Sequence, residues 1–159
     1  MAYDGYDDGR RDFHFLYGRW AVEHRRLKTR GVGADDWDAF AGTSFTQGLM
    51  GGLCNVEEND FPDRGFQGVA MRTFDPEARR WAIYWVSSLD GRLQPPVFGR
   101  FEDGIGLFHG DDVDGDRPVK VVYRWDRITS ASAHWSQAFS YDGGETWETN
   151  WTMAFTRSA

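Results

Sequence analysis

The sequence predicts an all-β protein, an antiparallel up-and-down barrel of about ten strands. Short segments alternate apolar and polar side chains, the period of a strand with one buried face. The clearest is Thr146–Phe155: Trp147, Thr149, Trp151, Met153 and Phe155 share one face, and Glu148, Asn150 and Thr152 the other. Turn signals punctuate these segments, with 19 glycines against five prolines in 159 residues. No helical face, heptad or longer internal repeat competes with the two-residue period. Eight tryptophans and an aromatic share of 16% put much ring surface on the inward faces. Such a barrel suits a flat or apolar small molecule.

The elements follow in chain order. Residues 1–12 are polar and acidic and are expected to form a flexible tail. One barrel domain then spans 13–159, a length ample for a single core. Phe13–Tyr17 fits a short helical turn before Gly18. Strand one runs from Trp20 to Lys28, with Trp20, Val22, His24 and Arg26 on one side. Residues 31–42 are expected to be a connector. Strand two is Thr43–Leu49, and Gly51-Gly52 permits a tight turn. Strand three, Leu53–Asn59, is unusually polar, with Asn55, Glu57, Glu58 and Asn59. The loop Phe61–Gly65 leads into strand four, Phe66–Phe74, and Asp75-Pro76 starts a turn.

Strand five is Arg80–Ser87, where Trp81, Ile83 and Trp85 alternate against Ala82, Tyr84 and Val86. Both faces are apolar, so the outer one leaves two covers open, an N-terminal helix or a neighbouring subunit in a homodimer. Asp90-Gly91 signals a turn. Pro95-Pro96 opens an edge-like sixth strand, Val97–Phe101. Asp103-Gly104 turns into strand seven, Ile105–Gly110, and Asp111–Asp116 is expected to be an acidic loop. Strand eight, Pro118–Trp125, groups Val119, Val121, Tyr123 and Trp125. Strand nine, Ala133–Ser140, groups Trp135, Gln137 and Phe139. Asp142-Gly143-Gly144 turns into the last strand.

The segment Phe13–Trp20, with Gly18 and Trp20 at the start of the first strand, resembles the opening of the calycin superfamily, the lipocalins and fatty-acid-binding proteins. Further motifs are Gly51-Gly52-Leu53, Phe74-Asp75-Pro76, Trp81 with Trp85, and Asp142-Gly143-Gly144 followed by Trp147 to Trp151. Together they resemble an uncharacterised bacterial lipocalin-like family and cover most of the chain. The resemblance implies a short N-terminal helical plug at one barrel end, with Trp20 packed just inside it. Similar barrels serve haem-binding nitrobindins, but no histidine here is placed as their haem ligand, and no cofactor is expected.

Charge and composition set limits. A net charge of −7 and a pI near 5.0 speak against a nucleic-acid partner. The single cysteine, Cys54, rules out an internal disulfide, which suits a reducing compartment. The N-terminus lacks an apolar signal region, and no run reaches membrane-spanning length. A cytoplasmic protein with no membrane partner is the expectation. The histidines His14, His24, His109 and His134 match no metal-ligand spacing. Asp111–Asp116 lacks the terminal Glu and the flanking helices of a calcium loop. No metal is expected.

With Trp20 facing inward, the strand period carries His24 and Arg26 inward too. The expected ligand-binding residues are Trp20, His24, Arg26, Trp81, Trp85, Tyr123, Trp125, Trp135, Gln137, Trp151 and Met153. His24 and Arg26 would mark a polar end, where a guanidinium can meet a carboxylate, phosphate or enolate head. Arg72 and Arg100 are further polar candidates. Glu57 and Glu58 point to opposite faces and form no glycosidase pair. Three readings compete, two of which use the lumen; in the third the aromatics are simply core and the barrel is a dimerisation platform, motivated by the doubly apolar strand five. Of the two lumen readings, one is binding of a small apolar or aromatic molecule. The other is a cofactor-free enzyme of cyclase, isomerase or hydrolyase type acting on a secondary metabolite. In the second, His24, Arg26, Tyr123 or Glu57 supplies acid–base or oxyanion chemistry.

Overall fold

The computed structural model describes residues 8–159, in which ten antiparallel strands close into a barrel. They are β1 (Gly18–Leu27), β2 (Trp37–Leu49), β3 (Cys54–Phe61), β4 (Phe66–Asp75), β5 (Arg80–Ser87), β6 (Val97–Glu102), β7 (Ile105–Asp114), β8 (Arg117–Asp126), β9 (Ser132–Ser140) and β10 (Glu148–Arg157). Each strand pairs with the next, and β1 closes the ring on β10. Helix among the described residues is limited to 3-10 turns at His14–Leu16, Met50–Gly52 and Pro62–Arg64. None of these is long and apolar enough to cross a membrane. Of the expected tail, residues 1–7 lie outside the described residues. In the remainder, Arg10 pairs with Asp8 at 2.6 Å and Asp12 N–H donates to the Gly9 carbonyl.

Up-and-down connectivity sorts the loops between two ends. The connections after β1, β3, β5, β7 and β9 gather at one end. The segment before β1 and the connections after the even strands gather at the other. The barrel interior at this second end is filled by side chains. Phe13 and Leu16 are fully buried, and the Phe13 ring meets Trp81 and Phe101 edge-on at 4.9 and 5.0 Å. Trp20 Nε1 donates to the Leu16 carbonyl at 2.9 Å, tying the 3-10 turn to β1. Edge-to-face ring pairs add about 0.5–1.5 kcal/mol each beyond area burial, so this end is the rigid one.

Three strand assignments need correction. Residues 37–42, expected within a connector, belong to β2: Trp37 through Gly42 pair with Leu27 through Val22. Their Asp and Gly content has loop character, but ladder hydrogen bonds are made by backbone, and Phe40 is the buried side chain that anchors the register. Likewise Asp111–Asp114, expected as a loop, extend β7 and pair with Lys120–Arg117 around the Gly115 turn. The face expected from Trp147 to Phe155 is broken at its start. The β10–β9 register shifts between Thr149 and Trp151, so Asn150 is an inserted, fully buried residue. A bulge reverses the side-chain alternation. Trp147 is therefore 40% exposed, while Trp151, Met153 and Phe155 face the interior.

Candidate functional site

A cavity of about 210 Å³ enters the barrel from the end where the odd-numbered strands finish. Its floor is an ion pair in the barrel interior. Arg72 on β4 and Glu57 on β3 are 3% and 2% exposed, and the Arg72 guanidinium donates through Nη2 to Glu57 Oε1. The other Glu57 oxygen accepts the Ser44 hydroxyl at 2.6 Å, and Arg72 Nη1 donates to Asn55 Oδ1 at 2.9 Å. Arg72 also lies 4.8 Å over the Phe13 ring, so the floor rests on the packed end. The polarity of β3 thus has a purpose: its Asn55 and Glu57 are the two side chains that accept from the buried Arg72 charge.

The walls are aromatic. Trp151 on β10 meets Trp135 on β9 at 5.7 Å and Trp85 on β5 at 6.4 Å, both at 88°. Tyr123 on β8 meets Trp135 at 5.1 Å. Room for Trp85 depends on Gly68 on β4: a Cβ there would lie 2.1 Å from the indole ring. Gln137 faces the cavity and donates through Nε2 to Asn150 Oδ1 at 2.8 Å. The bulge residue thereby orients a wall amide. Burial pushes the Tyr123 phenol well above its ordinary range, reinforced by Asp112 and opposed by Arg72. Tyr123 therefore stays protonated at neutral pH and offers a hydroxyl donor.

The mouth is charged. Arg26 at the end of β1 stacks 4.5 Å over Trp151, and Arg30 lies 5.3 Å from the Phe139 ring. Burial lowers both guanidinium pKa values, and each arginine stays charged at neutral pH. Asp112 on β7 joins them at the cavity, its carboxyl raised by burial, with Oδ1 accepting the Val113 N–H at 2.7 Å. The segment carrying Arg30 is held by Glu148, whose carboxylate accepts Gly31 N–H at 2.7 Å and Gly33 N–H at 3.0 Å.

Among the residues expected from sequence, Arg26, Glu57, Trp85, Tyr123, Trp125, Trp135, Gln137, Trp151 and Met153 line this one cavity. Trp20, His24 and Trp81 face the interior but do not line it. Trp20 and Trp81 belong to the packed end. His24 is 1% exposed, stacked at 4.9 Å on Phe40 and edge-on to Phe61 at 4.9 Å. Its Nδ1 accepts the Trp151 indole N–H at 3.1 Å, so the proton of the neutral ring sits on Nε2. That makes His24 a positioning residue for Trp151. Of the further arginines, Arg72 lines the cavity and Arg100 is exposed on the outside. Arg30 and Asp112 were missed. Both keep the parity of inward neighbours, Arg26 and Phe108, but each falls where the residue types suggest loop.

Burial, followed by the Arg26 charge, lowers the His24 pKa from 6.5 to about 4. The unfolded chain therefore binds a proton at pH values where the folded barrel does not. Stability linked to His24 is complete above pH 6.5 and is lost as pH falls toward 4. The drop should approach about 3 kcal/mol at one pKa unit per 1.36 kcal/mol. Urea unfolding from pH 7 to 4 should show this slope, and His24→Leu should remove it. A parallel slope in the variant would assign the effect to other groups.

No family model matches this chain, and no curated protein matches it significantly. Fold and cavity therefore carry the functional reading.

Proposed function

We propose that the protein binds a small, flat, largely apolar molecule in the lumen of a lipocalin-like barrel, with the His14–Leu16 turn plugging the closed end. The observation that carries this is the cavity itself, walled by Trp85, Trp135 and Trp151. Size narrows the occupant. An apolar cavity of roughly 150 Å³ takes one benzene ring, and drug-sized ligands occupy about 300–1,000 Å³. At about 210 Å³, this lumen suits a body of one or two rings. A single free cysteine supports a reducing, cytoplasmic setting.

A cofactor-free enzyme is the second reading, favoured because Arg26, Glu57 and Tyr123 surround one cavity. It lacks a base. Both Glu57 oxygens are occupied by Arg72 and Ser44, the Tyr123 phenol holds its proton, and His24 does not line the cavity. Binding is therefore adopted.

The test is calorimetric titration with 2-naphthalenemethanol, a neutral two-ring probe. It should bind at one site per chain. Ala70→Leu, which fills the lumen from β4, should weaken it at least tenfold, about 1.4 kcal/mol. Equal binding by the variant, or no binding by this probe and by its ring acids alike, would remove the proposal.

A further inference from the structure

We infer that the ligand carries a single negative charge, a carboxylate on its ring body, and that the guanidinium groups of Arg26 and Arg30 receive it at the mouth. This rests on the lumen-binding reading above and names the class of ligand.

The observation is a pair of cations without acceptors. Both guanidinium groups line the cavity, yet among the described residues no carboxylate lies within 4.0 Å of either. Neither donates a hydrogen bond to a described residue. Arg26 rests on Trp151 and Arg30 near Phe139, contacts that use ring faces and leave the N–H edges open. A partly buried guanidinium is costly unless its donors find an acceptor, and the fork of N–H groups matches a carboxylate.

The surroundings set the charge. Arg30 feels Asp114, Asp112 and Glu148. Arg26 is repelled by Arg30, and the one carboxylate that acts on it, Asp38, is taken by the Arg64 guanidinium, with Nε to Oδ2 at 2.8 Å. Of the charged groups at the cavity, Arg72 pairs with Glu57 and Asp111 with Lys120, which leaves Arg26, Arg30 and Asp112 and one net positive charge. A monoanion balances it. A dianionic phosphate would face Asp112 across the same cavity.

Trp151 links head and body. Its indole lines the cavity, carries Arg26 on its face and donates to His24. An acid whose ring lies against Trp151 therefore has its carboxylate within reach of the stacked guanidinium.

The experiment is calorimetric titration at pH 7.5 and low salt with 2-naphthoate, 2-naphthalenemethanol and 2-naphthyl phosphate. Naphthoate should bind at least tenfold more tightly than the alcohol, the lower bound for a hydrogen bond to a charged group. Phosphate should bind more weakly than naphthoate. Arg26→Met should cost the acid about tenfold more than it costs the alcohol. Arg26→Lys, which keeps the charge and loses the fork, should fall between, and Arg30→Met should show a smaller loss. Alcohol and acid binding alike, or losing equally in Arg26→Met, would overturn the inference and leave the lumen-binding reading intact. Phosphate binding above naphthoate would overturn the monoanion assignment. Failure of all three probes to bind would remove the lumen-binding reading itself, and the inference with it.

Discussion

Replacing Glu57 by alanine should destabilise the barrel by about 3–5 kcal/mol, the usual result of stripping one partner from a buried ion pair. Arg72 would keep Asn55 as its only hydrogen-bond acceptor, and the Ser44 hydroxyl would lose its own. The charge cannot move to water without displacing Phe13 and Trp125, whose rings lie 4.8 and 5.8 Å from it. Urea unfolding at pH 7 measures the loss. The double change Glu57→Leu with Arg72→Met should recover most of it, because a well-packed apolar pair of similar volume replaces a buried ion pair at little cost. A single-variant loss below about 1 kcal/mol, the range of exposed pairs, would mean that the cavity hydrates the floor. The pair would then be part of the ligand site and not of the frame.

Trp20→Ala should cost about 3–5 kcal/mol, in line with large aromatic deletions from cores. Trp20 is 1% exposed, edge-on to Phe155 at 6.0 Å, and covered by the Arg157 guanidinium at 4.1 Å. Its removal leaves a cavity and also orphans the Leu16 carbonyl that its Nε1 satisfies. The His14–Leu16 turn should loosen as well, since Arg157 reaches the Phe15 and Tyr17 carbonyls from its place over the same ring. Trp20→Phe should cost less, because it keeps ring contact and loses only the hydrogen bond and part of the area. An unchanged melting temperature for Trp20→Ala would show that this end of the barrel is not the rigid one.

Strand number and barrel closure were legible because large residues alternate with small or polar ones in β1, β8 and β9, and five of the nine connections between strands carry Gly beside Asp or another Gly. The cavity walls were legible for the same reason. Three features were not. Asp35, Asp36 and Asp38 surround Trp37, so the first half of β2 has loop composition although its backbone pairs with β1 throughout. The Asn150 bulge has no local signature, and one inserted residue moved Trp147 off the inward face. The third is depth. The two-residue period says that Trp20, His24 and Arg26 share a face, but not that Trp20 is sealed in the packed end, that His24 lies behind Trp151, and that Arg26 alone reaches the cavity. Depth depends on barrel tilt and on which side chains lean over from nearby strands, here Phe61 from β3 and Trp151 from β10, the strand paired with β1. Arg30 and Asp112 escaped for a related reason: a charged residue beside glycines or other acids looks solvated until a closed ring of strands turns it toward the lumen.

A crystal structure of the protein with 2-naphthoate tests whether the lumen holds a ring-sized acid with its head at the mouth. The naphthalene ring is expected against Trp85, Trp135 and Trp151, with the carboxylate within hydrogen-bond distance of Arg26. A lumen without the ligand, or a ring bound on the outer surface with Arg26 still unpaired, would contradict it.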